Sequence, residues 1–176
     1  FVHHPRTHEI RAITEEKLGW PWSIASAFQF DLADKGNIRY NTTLEPYGAI
    51  GDAGWYNMRA AVEFSAPGVE IKTVESFLRR DAETGAVVSA SGVIVFDDDS
   101  TTTFNCGFDS GAGIMDLRIS GNKGVIKLDD FLGARPSDKP ADYEYRQNWS
   151  DTKLIEVTSS KRGSSLMFDD YAAMVE

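Results

Sequence analysis

Residues 47–64 read YGAIGDAGWYNMRAAVEF, and the rest of the chain is organised around them. Gly48 and Gly51 allow sharp backbone turns that a residue with a Cβ atom resists. Asp52 follows them and is one of the residue types preferred at helix N-caps. The alanines and the methionine that come next favour helix, and SAPG at residues 65–68 is typical of a helix end. The stretch therefore predicts a glycine-bent loop that enters a helix capped by Asp52.

Asp52, Tyr56 and Arg59 are spaced so that they share one face near the start of this helix. A phenol has an ordinary pKa of about 10. The positive end of the helix dipole and a nearby cation would lower that pKa toward useful acid–base chemistry. Asp52 could accept a hydrogen bond from a substrate hydroxyl or orient the phenol. The residues expected in the core point elsewhere: Trp55, Met58 and Val62.

A structural role is the alternative for this pair of residues. Asp52 would then only cap the helix, and Tyr56 would lie half-buried in the core. The residues alone favour this alternative, because most capped helices that carry a tyrosine catalyse nothing.

Composition limits the classes of partner. A chain of 176 residues is long enough for a proper core and is most simply one domain, residues 1–176. A formal net charge of −9 argues against nucleic acid or an anionic membrane as the main partner. No apolar run reaches the ~20 residues that span a bilayer, and no signal-peptide pattern opens the sequence. The single cysteine, Cys106, suits a reducing compartment, so we expect a cytoplasmic location, with an organelle left open.

Both ends of the sequence read as interrupted. Phe1–Pro5 has no methionine and no polar tail, and a final helix predicted from a Ser165 cap reaches Glu176 without a stop signal. We therefore expect a fragment of a longer chain.

A first helix is predicted from a Thr7 cap to about residue 17, with Gly19 ending it. Three histidines cluster around its start: His3, His4 and His8. His4 and His8 could share a metal, but no carboxylate sits at ligand spacing. Hydrogen-bonding or rim histidines are therefore preferred to a zinc site.

Most of the remaining sequence reads as strands joined by turns. The predicted strands are 23–30, 69–79, 86–96, 101–108, 114–120, 125–128, 143–149 and 154–159. Residues 31–40 read as a loop, and the acidic turn at 97–100 reads as solvated rather than as a calcium site. GFDSGAG at 107–113 lies between strands, so it is interpreted as a hairpin loop or bulged linker and not as a dinucleotide fingerprint.

This order of elements predicts an α+β fold with a large, mostly antiparallel open sheet and helices on one face. A sheet covered on one face needs a partner for the other. We therefore expect homo-oligomerisation through the open face, or packing of that face on further parts of the chain.

Four segments together resemble one known family: FVHHPRT at 1–7, NIR at 37–39, GAIGDAGWYNMRA at 48–60 and SGNKGVIKLDDF at 120–131. They resemble the C-terminal domain of the Gfo/Idh/MocA oxidoreductases, in the branch with dimeric dihydrodiol dehydrogenase and glucose–fructose oxidoreductase. The resemblance covers nearly the whole chain in the expected order.

The resemblance implies an NAD- or NADP-dependent enzyme with two domains. Its N-terminal Rossmann domain would bind the cofactor and carry a catalytic lysine, and neither feature lies in these residues. Tyr56 matches the proton donor and acceptor of many relatives, and Asp52 matches an aspartate that lines the same pocket. Further candidate substrate contacts are Arg39, His3, His4 and Trp55. The absent lysine would lower the pKa of the phenol.

Two candidate functions for this chain are consistent with the sequence. The first is the substrate-binding half of an oxidoreductase that acts on a sugar, a polyol or a related alcohol or carbonyl by hydride transfer, inactive as this fragment alone. The second is a non-catalytic binding or regulatory module that retains the fold. The sequence upstream would discriminate between them. No cofactor-binding residue and no metal ligand is expected within these residues.

Overall fold

The structure, a computed structural model, describes residues 1–133, 140–159, 161 and 163–175. Eight strands form one sheet in this part of the chain. The strands are β1 Ser23–Asp31, β2 Ile71–Arg80, β3 Val87–Phe96, β4 Thr101–Gly107, β5 Asp109–Gly121, β6 Gly124–Leu128, β7 Ala141–Arg146 and β8 Thr152–Val157. The α-helices are α1 Pro5–Ile13, α2 Trp55–Phe64 and α3 Gly163–Val175.

The strands lie in the order β2-β3-β4-β1-β5-β6-β7-β8. β1 pairs parallel with β4 and antiparallel with β5, and the other pairings are antiparallel. The first strand in the chain thus lies inside the sheet. The predicted α+β fold with a large, mostly antiparallel open sheet is confirmed.

Local turn chemistry explains the hairpins. β3 and β4 are joined through residues 97–100, where Asp99 adopts a φ of 64°, a left-handed conformation that aspartate tolerates better than most residues. β5 and β6 pair up to Gly121 and Gly124 across a tight turn. Both hairpins, and that of β7 with β8, are as predicted. β5 begins at Asp109, so the predicted hairpin loop at 107–113 is wrong. The pairing of β5 with β1 shifts register between Asp109 and Ile114, which agrees with the alternative prediction of a bulged segment.

The hydrophobic core lies between one face of the sheet and helices α1 and α2. The buried residues of α2 recur at helical spacing: Asn57, Ala60, Ala61 and Phe64. Ile10 of α1 and Phe64 pack with Leu117 and Ile119 of β5. Residues of β3 and β4, among them Phe104, complete a second cluster beneath the start of α2.

The helix boundaries correct two predicted caps. α1 begins at Pro5, because the His4 Nδ1 atom accepts a hydrogen bond from the Arg6 backbone N–H at 3.1 Å. Thr7 lies inside this helix. A π-helical turn follows and ends at Gly19, whose φ of 69° confirms the predicted stop. Ser165 likewise lies within α3 and does not cap it.

The opposite face of the sheet carries no helix within the described residues. Every residue of β2 is exposed, and α3 buries none of its described residues. None of the described helices has the length and hydrophobicity of a membrane span.

Candidate active site

The entry to α2 is a π-helical turn, Ile50–Gly54, that continues directly into the helix. Gly48 precedes it with a φ of 51°, and a Cβ atom there would lie 2.3 Å from the Val87 carbonyl oxygen. Only glycine fits this approach to β3, so the turn predicted at Gly48 is confirmed. Because single π-helical turns inside helices occur frequently at functional sites, this entry indicates a candidate functional site at the start of α2.

Gly51 has a different role from the predicted one. Its φ is not left-handed. A Cβ atom at this position would lie 2.8 Å from the Glu45 Oε1 atom and 3.0 Å from the Tyr47 Cβ atom. Gly51 therefore makes room for the preceding loop instead of turning the backbone.

Asp52 lies within the π-helical turn and caps no helix, which corrects the predicted N-cap. Its Oδ1 atom accepts a hydrogen bond from Arg39 Nη2 at 2.6 Å. Arg39 is held by a 3-10 turn, Ile38–Tyr40, in which the Asn37 side chain accepts from the Arg39 N–H at 3.1 Å. The predicted loop thus contains a short helical turn that brings Arg39 to Asp52.

Arg39 and Asp52 form an ion pair in which each charge is matched by the other. The hydrogen bond that Arg39 donates to Asp52 raises the pKa of Arg39, and the negative charges of Asp52 and Glu45 add to the rise. The Asp52 Oδ2 atom makes no hydrogen bond to any residue that the structure describes. A half-buried carboxylate with one oxygen bound and the other open can accept a hydrogen bond from a ligand hydroxyl.

Tyr56 stands in the first turn of α2, with 37% of its surface exposed. Its ring packs edge-on against Phe28 of β1, with centroids 5.5 Å apart. Its hydroxyl has no hydrogen-bond partner in the described part of the chain, while Arg39 is close enough for the two groups to interact electrostatically. Arg59 instead pairs with Glu63 at 3.0 Å. Arg39, Asp52 and Tyr56 therefore form one partly exposed cluster, and Arg59 is engaged elsewhere.

The histidines do not join this cluster. His4 caps α1, and burial, with the Arg6 charge second, lowers its pKa. His3 Nδ1 lies 2.6 Å from the Asp170 carboxylate of α3. Neither histidine makes a hydrogen bond or ion pair with the cluster within the described residues. That part of the chain also contains no group of three or more His, Cys, Asp or Glu able to hold a metal ion.

Two aromatic side chains near the cluster are exposed. Trp55 is 62% exposed and Tyr47 is 68% exposed. The predicted burial of Trp55 and Val62 in the core is wrong, whereas Met58 packs partly buried against it. Trp55 is therefore free to contact a ligand beside Tyr56.

Sequence reasoning missed two residues beside the cluster, and it also missed the buried contacts of Arg6. Glu45 lies against Gly51, and Phe28 supports the Tyr56 ring. Arg6 is buried and donates to the Asp130 carbonyl at 2.6 Å and to the Asp142 carbonyl at 3.1 Å. The sequence signal for the position of Glu45 was Gly51, a glycine that no backbone turn requires. No sequence pattern pointed to the contacts made by Phe28 and Arg6.

Comparison with known protein families gives a match over residues 10–127 to the GFO/IDH/MocA C-terminal domain. Solved structures share the fold. KijD10, a 3-ketoreductase from Actinomadura kijaniata in complex with NADP and TDP-benzene, is 19% identical with a TM-score of 0.85, over 99% of this chain and 52% of that one.

Two further solved structures have the same fold. An aldose-aldose oxidoreductase from Caulobacter crescentus complexed with glycerol has a TM-score of 0.82 at 15% identity, over 99% of this chain and 51% of that one. An inositol dehydrogenase homolog from Azotobacter vinelandii complexed with NAD+ has a TM-score of 0.75 at 13% identity, over 93% of this chain and 44% of that one. The chain thus spans about half the length of the structures it matches.

Proposed function

Because the chain belongs to the GFO/IDH/MocA family of NAD(P)-dependent oxidoreductases, we propose that it is the substrate-binding half of such an enzyme. Its substrate would be a sugar, a polyol or a related alcohol or carbonyl. The observation that carries the proposal is the partly exposed Tyr56 beside the Arg39–Asp52 ion pair, with a hydroxyl that has no hydrogen-bond partner among the described residues. The other half of the protein would be a dinucleotide-binding domain outside these residues.

Each residue of the cluster has a distinct chemical task in this proposal. Tyr56 gives a proton to the substrate oxygen during reduction or takes it during oxidation, since a positioned phenol can serve as acid or base. Asp52 accepts a hydrogen bond from a neighbouring substrate hydroxyl through its open oxygen. Arg39 holds that carboxylate in place through the hydrogen bond from its Nη2 atom. Trp55 offers an apolar ring to the C–H face of a sugar.

In this proposal, the cation that assists proton transfer by the phenol comes from another part of the protein. The positive charge of Arg39 is already matched by Asp52 at 2.6 Å. A lysine of the other domain, as the family resemblance implies, fits that role. The sequence holds no dinucleotide fingerprint, so in this proposal the phosphates of the cofactor bind to the other domain. When bound, the nicotinamide supplies the hydride chemistry, and this chain supplies the substrate side.

The test is Tyr56→Phe in the full-length protein, with Tyr47→Phe as the matched control on an exposed phenol nearby. Tyr56→Phe should lower kcat by about 100-fold or more, the usual contribution of a positioned acid or base. The Tyr47 variant should remain close to wild type. Turnover of Tyr56→Phe near wild type, with circular dichroism unchanged, would reject the role in proton transfer.

The lack of a dinucleotide fingerprint favours a second candidate, a non-catalytic binding or regulatory module with the same fold. Calorimetric titration of the 176-residue chain with NADH and NADPH, alongside the same titration of the full-length protein, separates the two. Binding only by the full-length protein supports the enzyme. Absence of binding in both supports the module, and tight binding by the chain alone contradicts the proposed division of tasks.

We also propose that a second copy covers the open face of the sheet. The centre of this face carries small and polar side chains from β1 and β4, such as Ala25, Ala27 and Thr103. Small side chains allow two sheets to approach closely. Thr103→Arg at the centre should therefore weaken self-association measured by sedimentation, and unchanged association would contradict this interface.

A further inference from the structure

β2 is an edge strand whose exposure is unusual for its length and composition. It runs for ten residues at one end of the sheet, and every one of them is exposed. Phe77 is 80% exposed, and Ile71, Val74 and Leu78 are also exposed. Among the described residues, no strand pairs with the outer edge of β2. A long edge with apolar side chains and free backbone groups is a template for pairing with another strand.

We propose that the outer edge of β2 pairs antiparallel with β2 of a second copy, with Phe77 on the two-fold axis. The contact joins the two sheets into one continuous sheet. It lies outside the proposed catalytic cluster, so it does not depend on the catalytic assignment. The backbone pairing runs along the edge of the sheet, whereas the Phe77 side chain lies on the same face as Ala27 and Thr103, at the border of the open-face contact.

The charge pattern of β2 selects this register. With Phe77 facing its own copy, Glu75 lies directly opposite the Arg79 of the partner, and the same pair forms a second time by symmetry. Alternation along a strand places all three side chains on one face of the sheet. Opposite charges across neighbouring strands stabilise the pairing, and like charges directly opposite destabilise it.

The neighbouring two-fold registers are less favourable. With Glu75 on the axis, this carboxylate faces its own copy. With Ser76 on the axis, Lys72 lies opposite Arg80. With Leu78 on the axis, Phe77 lies opposite Arg79, and neither Glu75 nor Arg79 lies opposite a residue of opposite charge. Of these four registers, the one with Phe77 on the axis is therefore the one that places Glu75 opposite Arg79.

Arg79 has the capacity for this contact although it already has a partner. Its Nη2 atom forms an ion pair with Asp109 across the sheet, and its side chain is 60% exposed. A guanidinium has five N–H donors in two directions, so it can bind Asp109 of its own copy and a carboxylate of a second copy together. The pairing also brings two exposed Phe77 rings next to each other.

The experiment is a charge-complementation series on the 176-residue chain, followed by sedimentation equilibrium. Glu75→Arg and Arg79→Glu each create like-charge pairs across the proposed contact, so each variant alone should weaken dimerisation by about tenfold or more, given the size of cross-strand pairs formed twice. An equimolar mixture of the two variants should restore association as a heterodimer, because each Arg then faces a Glu. Asp109→Asn is the matched control, since it removes the internal partner of Arg79 and should leave the dimer intact.

Three outcomes would overturn the proposal. The first is a chain that is monomeric at every concentration. The second is a dimer that both charge variants leave unchanged and that Thr103→Arg abolishes, because that result assigns association to the open face alone. The third is a mixture that fails to associate while circular dichroism shows both variants folded. Restored association in the mixture supports the proposal whatever the fate of the catalytic assignment.

Discussion

The Nη2 atom of Arg39 lies 2.6 Å from the Oδ1 atom of Asp52, and the two residues are 13 positions apart in the chain. The contact spans the loop between a 3-10 turn and the π-helical turn that opens α2. It therefore fixes the shape of that loop as well as the charge of the cluster beside Tyr56.

Replacing Arg39 by Gln should affect catalysis more than stability. A charge-assisted hydrogen bond contributes about 1.5–3 kcal/mol, so loss of the one that orients Asp52 should lower kcat/KM of the full-length protein by about tenfold or more. The free energy of unfolding should change by at most about 1 kcal/mol, because the pair is partly exposed. Steady-state kinetics and urea titration measure the two effects.

The matched control for this variant is Arg59→Gln. Arg59 also pairs with a carboxylate of the same region, Glu63 at 3.0 Å, but that pair lies outside the cluster. Its loss should leave kcat/KM nearly unchanged. Equal kinetic losses in the two variants would show that the Arg39 effect is not specific to the cluster.

Gly48→Ala should destabilise the fold by at least about 2 kcal/mol, given typical costs of strained backbone at a non-glycine residue. The φ of 51° disfavours a side chain, and the new Cβ atom would lie 2.3 Å from the Val87 carbonyl oxygen. Thermal and urea unfolding measure the loss. Gly111→Ala is the control, because nothing lies within 4 Å of its Cβ position. Similar unfolding midpoints for the two variants would contradict the close approach of this loop to β3.

His4 should make stability depend on pH below its ordinary pKa of about 6.5. Burial, followed by the Arg6 charge, lowers its pKa in the folded state, and the cap requires an unprotonated Nδ1 atom. The unfolded chain therefore binds a proton first as the pH falls. The contribution is complete above the ordinary pKa and is lost as the pH falls through the lower folded value.

His4→Asn should flatten this acid-side loss while keeping a capping side chain, and His4→Ala should cost about 1 kcal/mol at neutral pH. Unfolding free energies measured at a series of pH values test both statements. His8→Asn, at an exposed position, should retain the wild-type pH dependence. A His4→Asn profile that parallels wild type would refute the assignment of the slope to this cap.

Asn57 and Ser26 should show strong non-additivity. Asn57 is fully buried in α2 and donates through Nδ2 to the Ser26 Oγ atom of β1 at 2.9 Å, while its own Oδ1 atom has no partner in the described part of the chain. Asn57→Leu alone leaves the Ser26 hydroxyl buried and unpaired, at a cost of about 1–3 kcal/mol. Adding Ser26→Ala should recover much of that loss. A double variant as unstable as the sum of the single ones would contradict a direct interaction.

The sheet could be predicted from sequence because its signals are local. Alternating strands and short polar turns located the hairpins of β3 with β4 and of β5 with β6. The glycine-rich segment 107–113 was predicted as a hairpin loop or bulged linker, because glycines usually mark loops. It instead lies at the start of β5, which pairs with β1. The pairing of β1 with β4 and β5 brings together residues far apart in the chain, and no local pattern encodes it.

The cluster was only partly predictable for a similar reason. The spacing of Asp52 and Tyr56 pointed to one face, but the cap assigned to Asp52 assumed a regular helix start where the chain makes a π-helical turn. The contact with Arg39 depends on the path of the intervening loop. His4 caps the first helix in place of Thr7 because Pro5, which lacks an N–H, suits the first position of a helix and so shifts its start.

The position of β1 in the sheet affects how the protein is made. β1 leaves the ribosome before both strands that flank it, because β4 and β5 begin only at Thr101 and Asp109. Loops this long must close before the middle of the sheet exists, which slows folding. The nascent polypeptide therefore carries an unpaired, phenylalanine-bearing segment until synthesis has passed β4 and β5, and during that interval it depends on protection from aggregation.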